Sequence, residues 1–434
     1  MKKNKKPLLA LILLLFIGTV GVTFAYFQDL IEFPNLFKSK PFSTSSHENF
    51  ISPTDWKPGD TTPKEVTATN TGDVDVAVRV SYTESWKDSN NRTLPLVQNG
   101  VRASIINFDN ITDWYRQGDY YYYNKKLSKG ETTSSFIKSV TFNENIIGDV
   151  TCTTDGNLQN CVASNNSYEG GTYTLNIIVE TVQFDAYKNV WNTDINLPDP
   201  TLKNVFSDDD FSTVVAIAKS GDTERYKVGD TKQIDMGTFG THTLRIANTS
   251  APSDCMREDF SQTACGFVLE FADIVSSHRM NPDDSDTGIV PGHGNKGGWK
   301  YSEMRSYVNS EIYNALPQDL REGIISTKVI SSHAYVDTEN FETNDKLYLF
   351  NQPEVGFDPF YNTTVGLTLT RKLDYYTDNN SRIKKRMDGI KYPWWLRSSY
   401  DVNSYHFHSV NDGGYSNAIS CMNEMGVSPA FRIG

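Results

Sequence analysis

The chain has 434 residues, enough for about two or three domains of ordinary size. Hydrophobic residues make up 38% of it and charged residues 22%, which is the composition of a folded protein and excludes a disordered one. The 41 Lys and Arg stand against 53 Asp and Glu, a formal net charge of −12. This balance argues against a nucleic acid partner, because phosphate contacts require clustered Lys and Arg.

Residues 1–25 predict an export signal. A positive stretch and then an apolar run fill residues 2–24, and Thr23-Phe24-Ala25 forms a cleavage site ahead of Tyr26. We therefore expect a signal peptidase to process the chain and the mature protein to be secreted. The apolar run is also just long enough to span a bilayer, so an uncleaved membrane anchor is the alternative.

The five cysteines are consistent with export. Cys152 and Cys161 lie nine positions apart, and Cys255 and Cys265 lie ten apart. Both spacings suit short-loop disulfides, although spacing alone does not establish the pairing. Neither pair has the C-x-x-C spacing of a zinc knuckle, and Cys421 is expected to be a buried thiol.

Residues 51–190 predict a β-sandwich. Apolar and polar residues alternate over 76–82 and over 173–179, and glycine- and asparagine-rich turns precede both stretches. Antiparallel strands without long helices are typical of two packed sheets. Residues 191–210, with two prolines and a run of three aspartates, are expected to form a linker.

Residues 211–434 predict a mixed α+β unit, so the whole chain is expected to be mainly β with an α+β C-terminal part. Met304, Val308, Ile312 and Leu316 follow one another at spacings of four, which predicts a helix over about 302–316 with one apolar face. Short apolar runs predict strands around it, at 244–246, 267–271, 347–350, 405–410 and 427–433.

The N-terminal half carries four segments that occur in the same order in one family: residues 23–27 (TFAYF), 56–60 (WKPGD), 66–82 (VTATNTGDVDVAVRVSY) and 120–133 (YYYYNKKLSKGETT). Over residues 1–190 the chain resembles the TasA, camelysin and BsaA family of exported biofilm-matrix proteins of Gram-positive bacteria. The resemblance implies a jelly-roll-like sandwich that polymerises into extracellular fibres. In that family an N-terminal strand of one subunit completes the sheet of the next.

Residues 26–50 are the expected donor-strand-like segment. Its apolar residues ahead of the first sandwich strand are Phe27, Leu30, Ile31, Phe33, Leu36 and Phe37. Inserted at an open sheet edge of a neighbouring copy, such a segment would gain main-chain hydrogen bonds and bury its side chains. The alternative is that it packs back on its own domain.

The C-terminal half, over residues 225–434, resembles an uncharacterised domain of surface proteins from gut Firmicutes. The matching segments are residues 299–316 (WKYSEMRSYVNSEIYNAL), 343–349 (TNDKLYL), 393–398 (PWWLRS) and 426–433 (GVSPAFRI). The last segment is also similar to the end of the C-type-lectin-like and formylglycine-generating-enzyme folds. Ser399 and Ser428 depart from the usual pattern, which weakens any transferred binding site.

One aromatic and polar cluster near the C-terminus is the candidate ligand-binding site: Trp394, Trp395, Arg397, Tyr405, His406 and His408. In a lectin-like domain these rings would stack on sugars or peptide side chains, and Arg397 would donate a fork of hydrogen bonds. The alternative is structural, with the two tryptophans in the core and the arginine bracing a turn. His406 and His408 share one face of a strand and would suit a metal, but no third ligand is identifiable.

No catalytic motif is present, so we expect a non-enzymatic protein without a cofactor. The seven histidines include no H-E-x-x-H, and there is no G-x-S-x-G. Asp283, Asp284 and Asp286 would supply oxygen ligands for calcium, but EF-hand spacing is absent.

Together these features predict a secreted cell-surface or biofilm-matrix protein that self-assembles into fibres and displays a binding domain. The main alternative is a membrane-anchored monomeric adhesin that binds a glycan or a surface protein. An extracellular hydrolase is the third possibility.

Overall fold

In the computed structural model, the described residues are 42–146, 150–155, 158–163, 168, 170–199, 201–283, 291–333, 335–358 and 368–434. The fold is mainly β, with several antiparallel sheets and few helices, as the sequence predicts. The export signal and the apolar residues 27–37 lie outside the described residues.

The N-terminal unit is a two-sheet sandwich. Its strands are β1 (Thr44–Phe50), β2 (Thr61–Asn70), β3 (Val76–Lys87), β4 (Thr93–Leu94), β5 (Val97–Gln98), β6 (Val101–Arg102), β7 (Ser104–Phe108), β8 (Trp114–Gln117), β9 (Tyr120–Tyr123), β10 (Ile137–Phe142), β11 (Val150–Asp155), β12 (Leu158–Ala163) and β13 (Thr172–Gln183). One sheet has the order β1-β2-β10-β7. The other has the order β13-β3-β9-β8, with β4 beside β3.

The two sheets enclose an apolar core, because alternate residues of each strand point between them. Val78 and Val80 of β3 face Tyr121, Trp114 and Phe136 there, and all five side chains are buried. The period-two pattern therefore predicted this layer correctly. Among the described residues, β5–β6 and β11–β12 form two short hairpins that pair with neither sheet of the sandwich.

The C-terminal unit contains two larger sheets and a helical insert. Its strands are β14 (Thr231–Asp235), β15 (Thr241–Asn248), β16 (Phe267–Phe271), β17 (Ser276–His278), β18 (Thr327–Ser331), β19 (Phe341–Asp345), β20 (Trp394–Ser399), β21 (His406–Val410), β22 (Ser416–Ser420), β23 (Met425–Val427) and β24 (Ala430–Ile433). The sheets have the orders β14-β15-β16-β24 and β17-β23-β20-β21-β22, and β18 pairs with β19.

Five α-helices lie in the described residues: α1 (Tyr187–Trp191), α2 (Phe211–Ser220), α3 (Glu303–Tyr307), α4 (Tyr313–Ala315) and α5 (Gln318–Gly323). A π-helical turn at Val308–Ile312 joins α3 to α4, so the predicted helix is present as one run of three pieces. Its apolar face, Met304, Val308, Ile312 and Leu316, is buried in the core as predicted.

Two strand predictions differ from the structure. Residues 347–350 are buried but form only a bridge between Tyr348 and Ala430. The strand expected over 427–433 is interrupted between β23 and β24, where Pro429 has no N–H to donate to a ladder.

Residues 191–210 are packed rather than extended between the units. Ile195 and Leu197 are buried with Tyr187 and Trp191 on the outer face of β3 and β9. Farther along, Asp210 caps α2 by accepting a hydrogen bond from the Thr213 N–H at 2.7 Å. The aspartate run that suggested a linker therefore includes a helix cap.

The C-terminal unit covers one side of the sandwich. The side chain of Asn204 accepts from the Arg116 N–H at 3.0 Å and donates to the Arg116 carbonyl at 2.8 Å, so it occupies the outer edge of β8 as a strand would. Beside it, the Gly118 N–H donates to Thr213 of α2 at 3.0 Å, and Arg225 donates to the Trp114 carbonyl at 2.8 Å. The edge strand β8 therefore has its free main-chain groups paired by the same chain.

An apolar cluster fastens the two units at a second place. Trp86 and Phe142 of the sandwich pack with Phe260 and with the disulfide between Cys255 and Cys265. This pairing confirms one predicted disulfide. For the other, the β11–β12 register sets the backbones of residues 152 and 161 directly opposite each other, and the bond itself stays a prediction.

Candidate functional site

A polar groove of about 780 Å³ lies on the C-terminal unit, along the face of β21 and β22. Its lining residues include Gln352, Tyr400, Asn403, His406, His408 and Ser416. Two of the six residues of the predicted ligand cluster, His406 and His408, therefore lie in one groove. The volume falls within the ~300–1,000 Å³ typical of small-molecule sites.

A buried asparagine fixes the turn that forms one wall of the groove. The side-chain NH2 of Asn295 donates to the carbonyls of Tyr400, Asn403 and His406 at 2.8, 2.7 and 3.0 Å. Its own N–H donates to the Ser404 carbonyl at 2.7 Å. The glycine-rich stretch around Asn295 is therefore a clamp for this turn, which the sequence did not indicate.

Gln352 and His408 form the base of the groove. The Gln352 amide donates to His408 Nδ1 and to the Ser416 hydroxyl, both at 2.9 Å. Because Nδ1 accepts a hydrogen bond, the proton of the neutral ring lies on Nε2. Gln352 Oε1 and His408 Nε2 are buried and have no hydrogen-bond partner among the described residues.

Both histidines of the groove are neutral at pH 7. Burial lowers the pKa of His408 to about 4, with a smaller opposing contribution from the Asn417 backbone. Burial also lowers the pKa of His406. Desolvation disfavours the charged imidazolium at both positions, so the groove offers imidazole donors and acceptors without positive charge.

Three residues of the predicted cluster do not face a ligand. Trp394, Trp395 and Arg397 are fully buried in β20, so the prediction that they stack on or bind a ligand is wrong. Each indole N–H donates to a main-chain carbonyl, of Arg382 and of His278, both at 2.9 Å. The structural alternative holds for them, because large rings on a central strand are covered by neighbours on both faces.

Arg397 forms an ion pair in the core with Glu354, and both side chains are fully buried. The Glu354 carboxylate also accepts from the hydroxyls of Thr263 and Thr370 and from the Asn351 N–H. These bonds satisfy the carboxylate and fix the turn at residues 351–355 that carries Gln352. The pair is thus a support beneath the groove.

Tyr405 lies at the surface with 36% of its area exposed. Its ring packs edge-on against His406, with the ring centroids 4.5 Å apart. It stands outside the residues that line the groove. The predicted cluster does not include Gln352, Tyr400, Asn403 or Ser416, and at Gln352 the sequence indicates only a turn. Gln352 begins a Gln-Pro-Glu turn that is 56 positions from His408, and no local pattern joins them.

The sequence raises two candidate metal sites, one at His406 and His408 and one in the aspartate-rich stretch 283–286. The described part of the chain holds no group of three His, Cys, Asp or Glu side chains suited to a metal. Asp283 pairs with His293 at 2.7 Å, whereas residues 284 and 286 lie outside the described ranges. No helix in the described ranges is long and apolar enough to be a candidate membrane span.

A second candidate surface is the side of the sandwich opposite α2. Among the described residues, β1 pairs only with β2 and β13 pairs only with β3, so the outer edges of both strands lack a strand partner. The beginning of β1 meets the end of β13, where the hydroxyls of Thr44 and Thr181 lie 2.9 Å apart. We call β1 and β13 together the free edges.

A cleft of about 520 Å³ opens beside the free edges, near the end of β1. Phe50, Trp56, Phe142 and Tyr173 are among its lining residues. Trp56 stacks on the buried ring of Trp86, with centroids 5.8 Å apart. We call this the aromatic cleft. It presents aromatic rings between the end of β1 and the beginning of β13.

Residues 285–434 are similar to a family described as a domain of unknown function (DUF6273). The matched range contains every residue that lines the polar groove, together with Asn295 and Arg397. No curated protein matches the chain.

Replacement of Arg397 should lower the free energy of unfolding of the C-terminal unit. In Arg397→Leu the Glu354 carboxylate stays buried without its counter-ion, and loss of one partner of a buried pair costs about 3–5 kcal/mol. Urea denaturation monitored by tryptophan fluorescence measures this loss. Arg386→Leu is the control, because its pair with Asp388 is exposed and should leave the unfolding midpoint unchanged. Equal midpoints for both variants would contradict the supporting role.

His408 should make the fold sensitive to acid. Its folded pKa of about 4 lies below the ordinary 6.5, so the unfolded chain binds a proton that the folded chain excludes. Titration of His408 therefore leaves the free energy of unfolding unaffected above pH 6.5 and lowers it as the pH falls. The loss reaches about 3 kcal/mol at pH 4, because a tenfold difference in proton affinity equals about 1.4 kcal/mol.

Urea denaturation at pH 7 and pH 4.5 tests this assignment. His408→Gln should lose about 2 kcal/mol less than the wild type on acidification. His47→Gln, at an exposed position of β1, is the matched control and should behave as the wild type does. An unchanged pH dependence in His408→Gln would show that other groups carry the acid sensitivity.

Proposed function

We propose that the chain is an exported surface or matrix protein whose copies assemble through the free edges and display the C-terminal unit for ligand binding. The observation that carries this proposal is the contrast between the two sides of the sandwich. Asn204 and the α2 region pair the outer edge of β8, whereas β1 and β13 on the other side, like β7 on the β8 side, have no second strand partner among the described residues. An unpaired edge is a template for a further strand.

The path of the chain suits residues 26–41 of another copy as that strand. The chain enters β1 at Thr44, and the aromatic cleft lies toward Phe50, at the other end of the same strand. Fully extended, residues 26–41 would span about 50 Å, roughly twice the length of β1. The apolar residues Phe27 to Phe37 are chemically suited to the ring surfaces of the cleft.

This arrangement would make the contact between copies directional. A segment that leaves one copy at the beginning of β1 and binds the next copy toward the end of β1 uses two different surfaces. Contacts of this kind repeat into a filament when the rotation between copies does not close a ring. The resemblance to exported matrix proteins agrees with this outcome, as does the predicted signal at residues 1–25.

The second candidate function is a membrane-anchored monomeric adhesin. Its supporting observation is the polar groove, which would bind a ligand whether or not copies assemble. The anchor would be the apolar run at residues 8–24, retained without cleavage. In both versions the chain acts by binding, with no catalytic step.

Removal of residues 26–41 should abolish assembly. The protein beginning at Tyr26 should form filaments under negative stain and large species in light scattering, because it keeps the donor segment. The protein beginning at Phe42 keeps the entire described sandwich and should stay monomeric. Trp56→Ala in the aromatic cleft should weaken assembly, while Ile390→Ser, at an exposed site of the C-terminal unit, should not.

Filaments from the protein beginning at Phe42 would show that residues 26–41 are not the donor. Two monomeric proteins at high concentration would overturn assembly by this route and favour the adhesin.

A further inference from the structure

We propose that the polar groove binds a neutral, polyhydroxylated ligand, a carbohydrate without acidic groups. The inference rests on the proposed function in one respect, because it names the ligand class that the displayed C-terminal unit would take. It is carried by the groove's charge, by two buried atoms without partners and by the chemistry of its walls.

Charge excludes an anionic ligand. No Lys or Arg lines the groove, and the carboxylate of Asp358 is exposed at its border. His406 and His408 add no positive charge at neutral pH, since burial keeps both rings neutral. A phosphate, sulfate or carboxylate would therefore lose hydration without gaining a counter-ion.

Two buried atoms at the base call for a hydroxyl. Gln352 Oε1 is an acceptor without a donor among the described residues, and His408 Nε2–H has no acceptor in hydrogen-bond geometry there, although the Asn417 backbone is near enough to raise the pKa of the ring. Both side chains are more than nine-tenths buried, with 2% and 5% of their areas exposed. A hydroxyl group both donates and accepts, so hydroxyl groups are the chemistry that pairs with both kinds of atom. Leaving such groups unpaired in the unliganded protein costs stability that binding restores.

The walls complete the match to a sugar. Ser416 and Asn417 present hydroxyl and amide groups along the groove that are able to pair with ring hydroxyls, while the Asn403 amide bonds to the backbone of residues 405 and 406 and to the His406 ring. The half-buried ring of Tyr400 supplies apolar surface, which suits the C–H face of a pyranose, whereas the Phe357 ring carries the Arg382 guanidinium 4.2 Å from its centroid.

A peptide is the competing ligand, because β22 is an edge strand beside the groove. A peptide that adds to a sheet edge needs apolar pockets for its alternate side chains. Seven of the eleven lining side chains carry amide, aliphatic hydroxyl, carboxylate or imidazole groups, and the other four are Phe357, Tyr400, Val402 and Ala418. The lining thus favours the sugar over the peptide.

Titration calorimetry on the protein beginning at Tyr26 tests the proposal. The probes are neutral oligosaccharides (cellotetraose, maltotetraose and chitotetraose), an anionic one (hyaluronan tetrasaccharide) and a mixture of random decapeptides. We expect saturable binding of at least one neutral probe and none of the anionic probe. Gln352→Leu removes the acceptor and the support of His408, and should weaken binding at least tenfold.

Two further variants keep the test independent of folding. Asn417→Ala, at an exposed position on the rim, should weaken binding about threefold or more without affecting the core. Tyr301→Ala, at an exposed tyrosine of the C-terminal unit outside the groove lining, is the matched control and should bind as the wild type does.

The proposal is overturned if no neutral probe binds, if the anionic probe or peptides bind in the groove instead, or if Gln352→Leu and Asn417→Ala bind normally. Filament formation separates this result from the proposed assembly, because Gln352→Leu should form filaments as the wild type does. Sugar binding by a protein that never assembles would overturn assembly alone, and filaments that bind no sugar would overturn the groove alone.

Discussion

The backbone groups at a sheet edge need partners, and this constraint organises the whole chain. Among the described residues the sandwich has four edge strands, with β7 and β8 on one side and β1 and β13 on the other. Asn204, which precedes the C-terminal unit, and Thr213 of α2 pair main-chain groups at the outer edge of β8. The apolar cluster around Trp86 and the disulfide at Cys255 hold the two units in that arrangement. β1 and β13 share the opposite side, and in the proposed assembly this asymmetry would give the contact between copies a direction.

In the C-terminal unit, buried polar side chains hold the turns that form the polar groove. The Arg397–Glu354 pair is fully buried and fully hydrogen-bonded at the carboxylate, so it orders the turn that carries Gln352. Asn295 orders the opposite wall in the same way. Apart from Asp358 at its border, the groove is lined by neutral groups, and the buried Arg397–Glu354 ion pair lies beneath it. The hydrogen bonds of this pair pre-organise the side chains that would contact a ligand.

The periodicity of apolar residues in the sequence predicted the elements whose buried face depends on residues close together in the chain. The spacing of Met304 and Val308 predicted a buried helix face, and alternation predicted the sandwich. The ligand cluster was predicted only in part, because the pattern shows that His406 and His408 share a strand face but not what covers Trp395. Gln352 reaches His408 across 56 positions, and Asn295 reaches the Tyr400 turn across more than 100, so only the tertiary fold brings them together.

Hydrogen–deuterium exchange on the assembled protein, compared with the monomer that begins at Phe42, tests the central claim most directly. The account predicts added protection of the backbone amides of β1 and β13, with β8 unchanged because its edge is already paired within the chain. Protection confined to β8 or to the C-terminal unit would contradict it, since copies would then meet through a surface other than the free edges.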